Sequence, residues 1–278
     1  MPYRSILVHL DDPARSSARL VIALRLVKAF DAQLVGVFAQ PSYEIYPFAA
    51  EMVPADFVQQ SIEQRAQTKS EVEKQFREAV SASGQSRSEF RAPPGEPYRA
   101  AAMHARLCDL AIVGQPQRDA YDRAFASELV HSLVMDSGRP VLVVPQTPVT
   151  TLGERVLIAW KNTREAARAV SDALPFLTKA RSVRAVSIAP ESDETGEDRI
   201  ADRKLADYLS LHGVNVECKR IAGADADAGE LLLSSATETN ADLIVMGGYS
   251  RRRIRELIWG GVTRMMLRST GVPVFMAH

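Results

Sequence analysis

One unit is written twice in this chain, and that repetition limits the available folds more than any other feature. The segment "RSSARLVIALRLVKAFDAQLVGVFAQP", Arg15 to Pro41, aligns without a gap with "REAARAVSDALPFLTKARSVRAVSIAP", Arg164 to Pro190. Ala18 meets Ala167 and Arg19 meets Arg168, while Ala23 meets Ala173 only after a slip of one residue. An apolar run precedes each segment, "SILVHL" in the first copy and "RVLIAW" in the second. Later, "CDLAIVG", ending at Gly114, matches "ADLIVMG", ending at Gly247, and "SGRPVLVVP" matches "TGVPVFMAH". The interval from Gly114 to Gly138 equals that from Gly247 to Gly271. The copies meet in "PQTPVTTLGE", Pro145 to Glu154, which has no periodicity and reads as a linker. The expected domains are therefore residues 1–146 and 154–278.

Within each copy, short apolar runs alternate with longer amphipathic ones. In the second copy this predicts strands over Arg155–Trp160, Ser182–Ala189, Val214–Ile221, Leu243–Met246 and Val272–Met276. Helices are predicted over Arg164–Thr178, Asp198–His212, Ala228–Thr239 and Val262–Arg268. The pattern implies an α/β fold. Each copy is a mostly parallel five-stranded sheet flanked by helices, and right-handed crossovers make it Rossmann-like. Between Pro41 and Cys108 the first copy is 16 residues longer than the second between Pro190 and Ala241. That excess is assigned to Ser42–Phe57, either a lid or an extended connection over apolar surface.

Lys+Arg and Asp+Glu each number 34, so the net charge is zero, against a nucleic-acid binder held by bulk positive charge. Two cysteines, Cys108 and Cys218, are too few for a disulfide framework or a zinc site and read as reduced thiols. The opening "MPYRSILVHLDD" runs straight into a strand, and no apolar run reaches membrane-spanning length. The expectation is a cytoplasmic protein without membrane contact. His9, His104, His131, His212 and His278 are scattered and read as surface or packing residues. No catalytic residue and no metal ligand is nominated, and the glycines spell neither of the standard phosphate-loop fingerprints.

The stretch "VMGGYSRRRIRELIWGGVTRMML", Val245 to Leu267, brackets a short segment with two glycine pairs. Gly247 and Gly248 follow a strand, where glycine lets a ligand approach the backbone. Gly260 and Gly261 open a helix whose first N–H groups are unpaired and carry partial positive charge. Together they read either as an anion cradle, with phosphate the obvious anion, or as plain turns and caps. Arg251, Arg252, Arg253 and Arg255 read either as phosphate clamps or as a solvated basic face.

This spacing resembles the nucleotide motif of the universal stress proteins: Gly, two residues, Gly, nine residues, Gly, then Ser or Thr. Here Gly247 and Gly260 match, Ser250 replaces the second glycine and Gly261 replaces the hydroxyl residue. The order of segments, the "GVPV" strand and the duplication resemble the same family over essentially the whole chain. The resemblance implies two tandem domains of the adenine nucleotide alpha hydrolase-like type. It implies ATP, with Mg2+, as ligand of the second copy, its phosphates on the backbone of Gly247, Ser250, Gly260, Gly261 and Val262, to which the reading of the glycine pair adds Gly248. Lys161 stands where the family carries an acidic residue, and Ile188, in Ser187–Ala189, would offer backbone contacts to the base. The first copy keeps an acidic turn, Asp11–Asp12, but has Gly114, Gln117, Ser127 and Glu128 at the phosphate positions, and reads as a structural partner. The resemblance further implies that the last strands of the copies pair across a pseudo-twofold axis, making an intramolecular pseudo-dimer that further dimerisation would extend. The function expected is a non-enzymatic stress-response binding or regulatory module. A nucleotide-free scaffold for an unknown protein partner and a slow ATPase stand as alternatives.

Overall fold

The computed structural model describes residues 2–40, 54–116, 120–189, 197–224, 226–248 and 261–278. The first copy forms β1 (Ser5–Leu10), α1 (Pro13–Phe30), β2 (Gln33–Phe38), α2 (Ala55–Ser83), β3 (Ser88–Arg91), α3 (Pro97–Ala105), β4 (Leu110–Gly114), α4 (Ala120–Asp136) and β5 (Val141–Val144). The second forms β6 (Arg155–Trp160), α5 (Arg164–Leu177), β7 (Ser182–Ala189), α6 (Glu197–Leu211), β8 (Val216–Ala222), α7 (Ala228–Glu238), β9 (Leu243–Gly247), α8 (Gly261–Ser269) and β10 (Val274–Ala277).

Local chemistry sets the ends of these elements. Asp12 caps α1 by accepting from the amides of Ala14 and Arg15, and Pro13 supplies a fixed φ at the first position. Thr163 caps α5 by accepting from Ala166 N. β10 starts two residues later than its apolar run, because Val272 N donates to Thr270 Oγ1 in a turn just before Pro273. Most of the extra length of the first copy lies in helix rather than in the 42–57 loop. α2 has 29 residues and α6 has 15, and Ala55 to Phe57 are the first turn of α2; residues 42–53 lie outside those described.

Two five-stranded units join into one ten-stranded sheet in the order β3-β2-β1-β4-β5-β10-β9-β6-β7-β8. Every neighbouring pair is parallel except β5 with β10, where Val143 faces Val274, Leu142 faces Phe275 and Val141 faces Met276. The last strands are thus central, as the pseudo-twofold pairing requires. One core packs α1, α2, α5 and α6 on one face of the sheet, and a second packs α3, α4, α7 and α8 on the other. The first core crosses the junction through an aromatic chain. Tyr3 meets Phe30 at 5.0 Å, Phe30 meets Phe176 at 5.5 Å and Phe176 meets Phe275 at 5.9 Å between ring centroids. The Tyr3 hydroxyl donates to Asp172 O at 2.6 Å, tying the first copy to α5. Arg25 holds the linker by donating to the carbonyls of Val149 and Thr150.

Burial fixes the register between the copies. Ser16, Leu20, Ala23, Leu26 and Val27 on α1 take the places of Ala166, Val170, Ala173, Phe176 and Leu177 on α5. That register continues the one relating β1 to β6, and lies one residue from the gap-free alignment of the helices. It puts Ala169, not Arg168, at the place of Arg19.

Phe275 is fully buried at the centre of the junction. Phe275→Ala is expected to lower the free energy of unfolding by about 3–5 kcal/mol, read from urea unfolding followed by circular dichroism.

Candidate functional site

In open parallel sheets, ligands bind beyond the carboxyl ends of the strands where the strand order reverses. Those points lie between β1 and β4 in the first half and between β6 and β9 in the second.

In the second half, β6 ends at Trp160 and the chain turns through Lys161 and Asn162 into α5, with Lys161 exposed. The first turn of α5 packs directly on the end of β9. A Cβ at Gly247 would lie 2.6 Å from Ala166 N and 2.7 Å from the carbonyl carbon of Glu165, so only glycine fits. Gly248 donates its amide to Ala277 O at 2.8 Å, and a Cβ there would lie 2.9 Å from Val134 on α4. Neither glycine takes a positive φ. Both are small because other parts of the protein press against them. At Gly248 the amide is bonded within the sheet and is not free for an anion.

A polar chain closes the same edge. Arg164 Nε donates to Glu165 Oε1 at 2.6 Å, and Arg164 Nη2 lies 2.9 Å from His278 Nε2. A guanidinium can only donate, so His278 accepts at Nε2 and its Nδ1–H donates to Gly248 O at 3.1 Å. Glu165 is 5% exposed. Burial pushes its carboxyl pKa up, but hydrogen bonds from Arg164, its own amide and Thr163 outweigh that and bring it below the ordinary value. A carboxylate therefore stands beside Gly247, where it opposes a phosphate. The signal for it in sequence was the acid in the first turn of α5, "TREAA".

Of the other expected residues, Gly261 opens α8 with no atom of the described residues within 4 Å of where its Cβ would be, and Val262 follows, packed on the second core. Ile188 also packs on the second core, whereas Trp160 packs on the first. Ser250, Gly260, Trp259 and the arginines at 251, 252, 253 and 255 lie outside the described residues. Among the described residues, the first amides of α8, at Gly261 and Val262, are of the kind that a phosphate accepts from at a helix N-terminus, whereas the Gly248 amide is taken.

In the first half a pocket of about 270 Å³ lies at the switch point, with His9, Asp11, Arg19 and Gly114 in its lining. Arg19, 4% exposed, pairs with Asp11 and its Nη1 lies 3.3 Å from His9 Nδ1. Nδ1 accepts, so His9 Nε2–H donates to Ala39 O at 2.6 Å. A Cβ at Gly114, the counterpart of Gly247, would lie 2.8 Å from Arg19 Nη1. The guanidinium thus lies where the backbone of a phosphate loop would be approached. Ser127 and Glu128 sit half-buried in α4, and Gln117 lies outside the described residues. Burial lowers the His9 pKa from 6.5 to about 4, against the raising effect of Asp11. Burial also pushes Asp11 up, but the charge of Arg19, that of His9 and two hydrogen bonds bring it down from 3.8 to about 2.

The universal stress protein family model matches residues 154–278. The second half is a universal stress protein domain. Over its whole length the chain is similar in fold to a universal stress protein from Archaeoglobus fulgidus DSM 4304. That likeness has 18% identity, covers 98% of this chain and 97% of the other, and has a TM-score of 0.74. A putative universal stress protein from Pseudomonas aeruginosa UCBPP-PA14 is similar at 17% identity, over 99% and 93% of the two chains, with a TM-score of 0.62. The cytoplasmic domain of a prokaryotic cation chloride cotransporter shares the fold at 12% identity, over 99% and 95%, with a TM-score of 0.54. No curated protein matches the chain in sequence. Among the described residues, no helix is long and apolar enough to cross a membrane.

Two outcomes are expected. Gly247→Ala forces a methyl against the backbone of α5 and should lower stability by about 1–3 kcal/mol in a urea melt. His9 takes up a proton near 6.5 when unfolded but only near 4 when folded, so stability falls with pH across that window. Between about pH 7 and pH 5 the loss from this group should be ~2 kcal/mol, and His9→Gln should flatten that slope. The Asp11 contribution has the same sign and is lost lower, between 3.8 and about 2.

Proposed function

We propose that the chain is a tandem universal stress protein, with units at residues 1–146 and 154–278, that works in the cytoplasm as a non-enzymatic binding or regulatory module. The first unit is its structural partner and the second carries the ligand. The observation behind this asymmetry is Arg19. Its guanidinium packs against Gly114 and narrows the pocket at the switch point of the first unit to about 270 Å³, while the equivalent place in the second is Ala169. The ligand of this reading is an adenine nucleotide, ATP with Mg2+. Its phosphates lie at the Gly260–Gly261 start of α8 rather than on Gly247 and Gly248. When bound, the magnesium ion would supply charge neutralisation for those phosphates.

A second reading is a nucleotide-free scaffold for a protein partner. It is favoured by the bonded amide of Gly248 and by the carboxylate of Glu165 beside Gly247. Assembly of two chains is compatible with either reading.

Calorimetric titration of the purified protein with ATP, with and without Mg2+, separates them. The first reading predicts saturable one-site binding that Gly261→Val removes while the fold is kept, with no release of phosphate over hours. Absence of heat up to roughly 1 mM ATP would leave the scaffold.

A further inference from the structure

Between α5 and α6, beside the end of β6, lies a cavity of about 580 Å³. Trp160, Val170, Leu205 and Tyr208 form apolar walls, and the exposed Asn162 and Lys204 complete the polar side. Neither Ile188, Gly247 nor Gly248 lines it.

The first half explains why this space exists. α2 and α6 end in the same way. Gly84 N donates to Ser81 O and Gln85 N to Val80 O; Gly213 N donates to Ser210 O and Val214 N to Leu209 O. Both glycines are left-handed, at φ +70° and +74°. The match pairs Val72 with Ala201 and Phe76 with Leu205. In the first half Val72 and Phe76 are 0% and 2% exposed, and the Phe76 ring reaches to 2.7 Å from a Cβ placed on Gly36. The second half has a smaller side chain at both positions. The cleft is open to solvent on the side of Asn162, Ile200 and Lys204, and its volume lies in the range of small-molecule pockets.

We propose that the cavity between α5 and α6 binds a small amphipathic carboxylate. The apolar body lies among Trp160, Leu205 and Tyr208, and the carboxylate faces Lys204. Three observations select that chemistry. The walls are apolar and partly aromatic. The described lining carries an ammonium and a carboxamide but no acid. Lys204, exposed at the rim, is the cation an acid would face, and the exposed Asn162 adds a donor beside it. The proposal does not depend on nucleotide at the start of α8.

Sodium octanoate is the probe and 1-octanol its neutral comparator. The chain has 2 tryptophans, so Trp259→Phe leaves Trp160 as sole reporter. Octanoate should change its fluorescence saturably and raise the melting temperature. Ala201→Val with Leu205→Phe, which restores the residues of the first half, should weaken octanoate by about tenfold or more. Lys204→Gln, at an exposed position, should weaken octanoate by about fivefold and leave octanol unchanged. Unaltered octanoate binding by the filled variant while it melts as a folded protein would overturn the proposal, as would equal binding of acid and alcohol by the parent. Competitive displacement of octanoate by ATP would also overturn it, by making the cavity part of the nucleotide site.

Discussion

The antiparallel ladder between β5 and β10 is the contact on which the molecule depends. Each half alone would end in a short, wholly buried strand, Val141–Val144 or Val274–Ala277, with its ladder groups unpaired. Pairing the two removes both edges and leaves β3 and β8 as the outer strands, where exposed charged residues such as Glu89 and Lys219 stand. The aromatic chain from Tyr3 to Phe275 then makes one core out of two. A large apolar interface of this kind resists relative motion of the halves, unlike the small polar interfaces of loosely coupled domains.

Within that symmetric frame, the equivalent switch points have opposite character. In the first half, a guanidinium, a carboxylate and a neutral histidine bond to one another under the sheet edge, with Arg19 Nε buried and without a partner among the described residues. Removing one partner of such a set leaves a buried charge uncompensated, so the set locks that half in place. In the second half the same helix position is alanine. The polar groups lie further out, as Glu165, Arg164 and His278, and the space between the helices is not filled. Duplication has left the first half with a bonded polar set lining a pocket of about 270 Å³ at its switch point, and the second with a larger cleft between α5 and α6.

The glycines show how one sequence signal carries two physical meanings. Glycine after a strand marks a place where something comes too close for a Cβ, and that something can be a ligand or the protein itself. At Gly247 it is the backbone of α5, and at Gly248 it is Val134 of the other half. Among the described residues of the motif, Gly261 alone has no such neighbour. The cavity between α5 and α6 had no motif at all. Its sequence trace is the pair of smaller residues, Ala201 and Leu205, visible only after α2 and α6 are matched through their C-terminal glycines.

The sequence by itself determined the duplication, the α/β alternation and most strand positions; β6 and β7 run over the residues that alternation marks, because apolar period and turn residues are local properties. It also carried the universal stress protein resemblance of the second half. Tertiary structure alone decided which residues of α1 and α5 are equivalent, since burial, not identity, sets that register. It decided too that Arg19 turns inward to Asp11, that the Gly248 amide bonds to Ala277, and that an unfilled space lies under Trp160. Each of these joins residues far apart in the chain, and such contacts exist only once the sheet has brought its strand ends together.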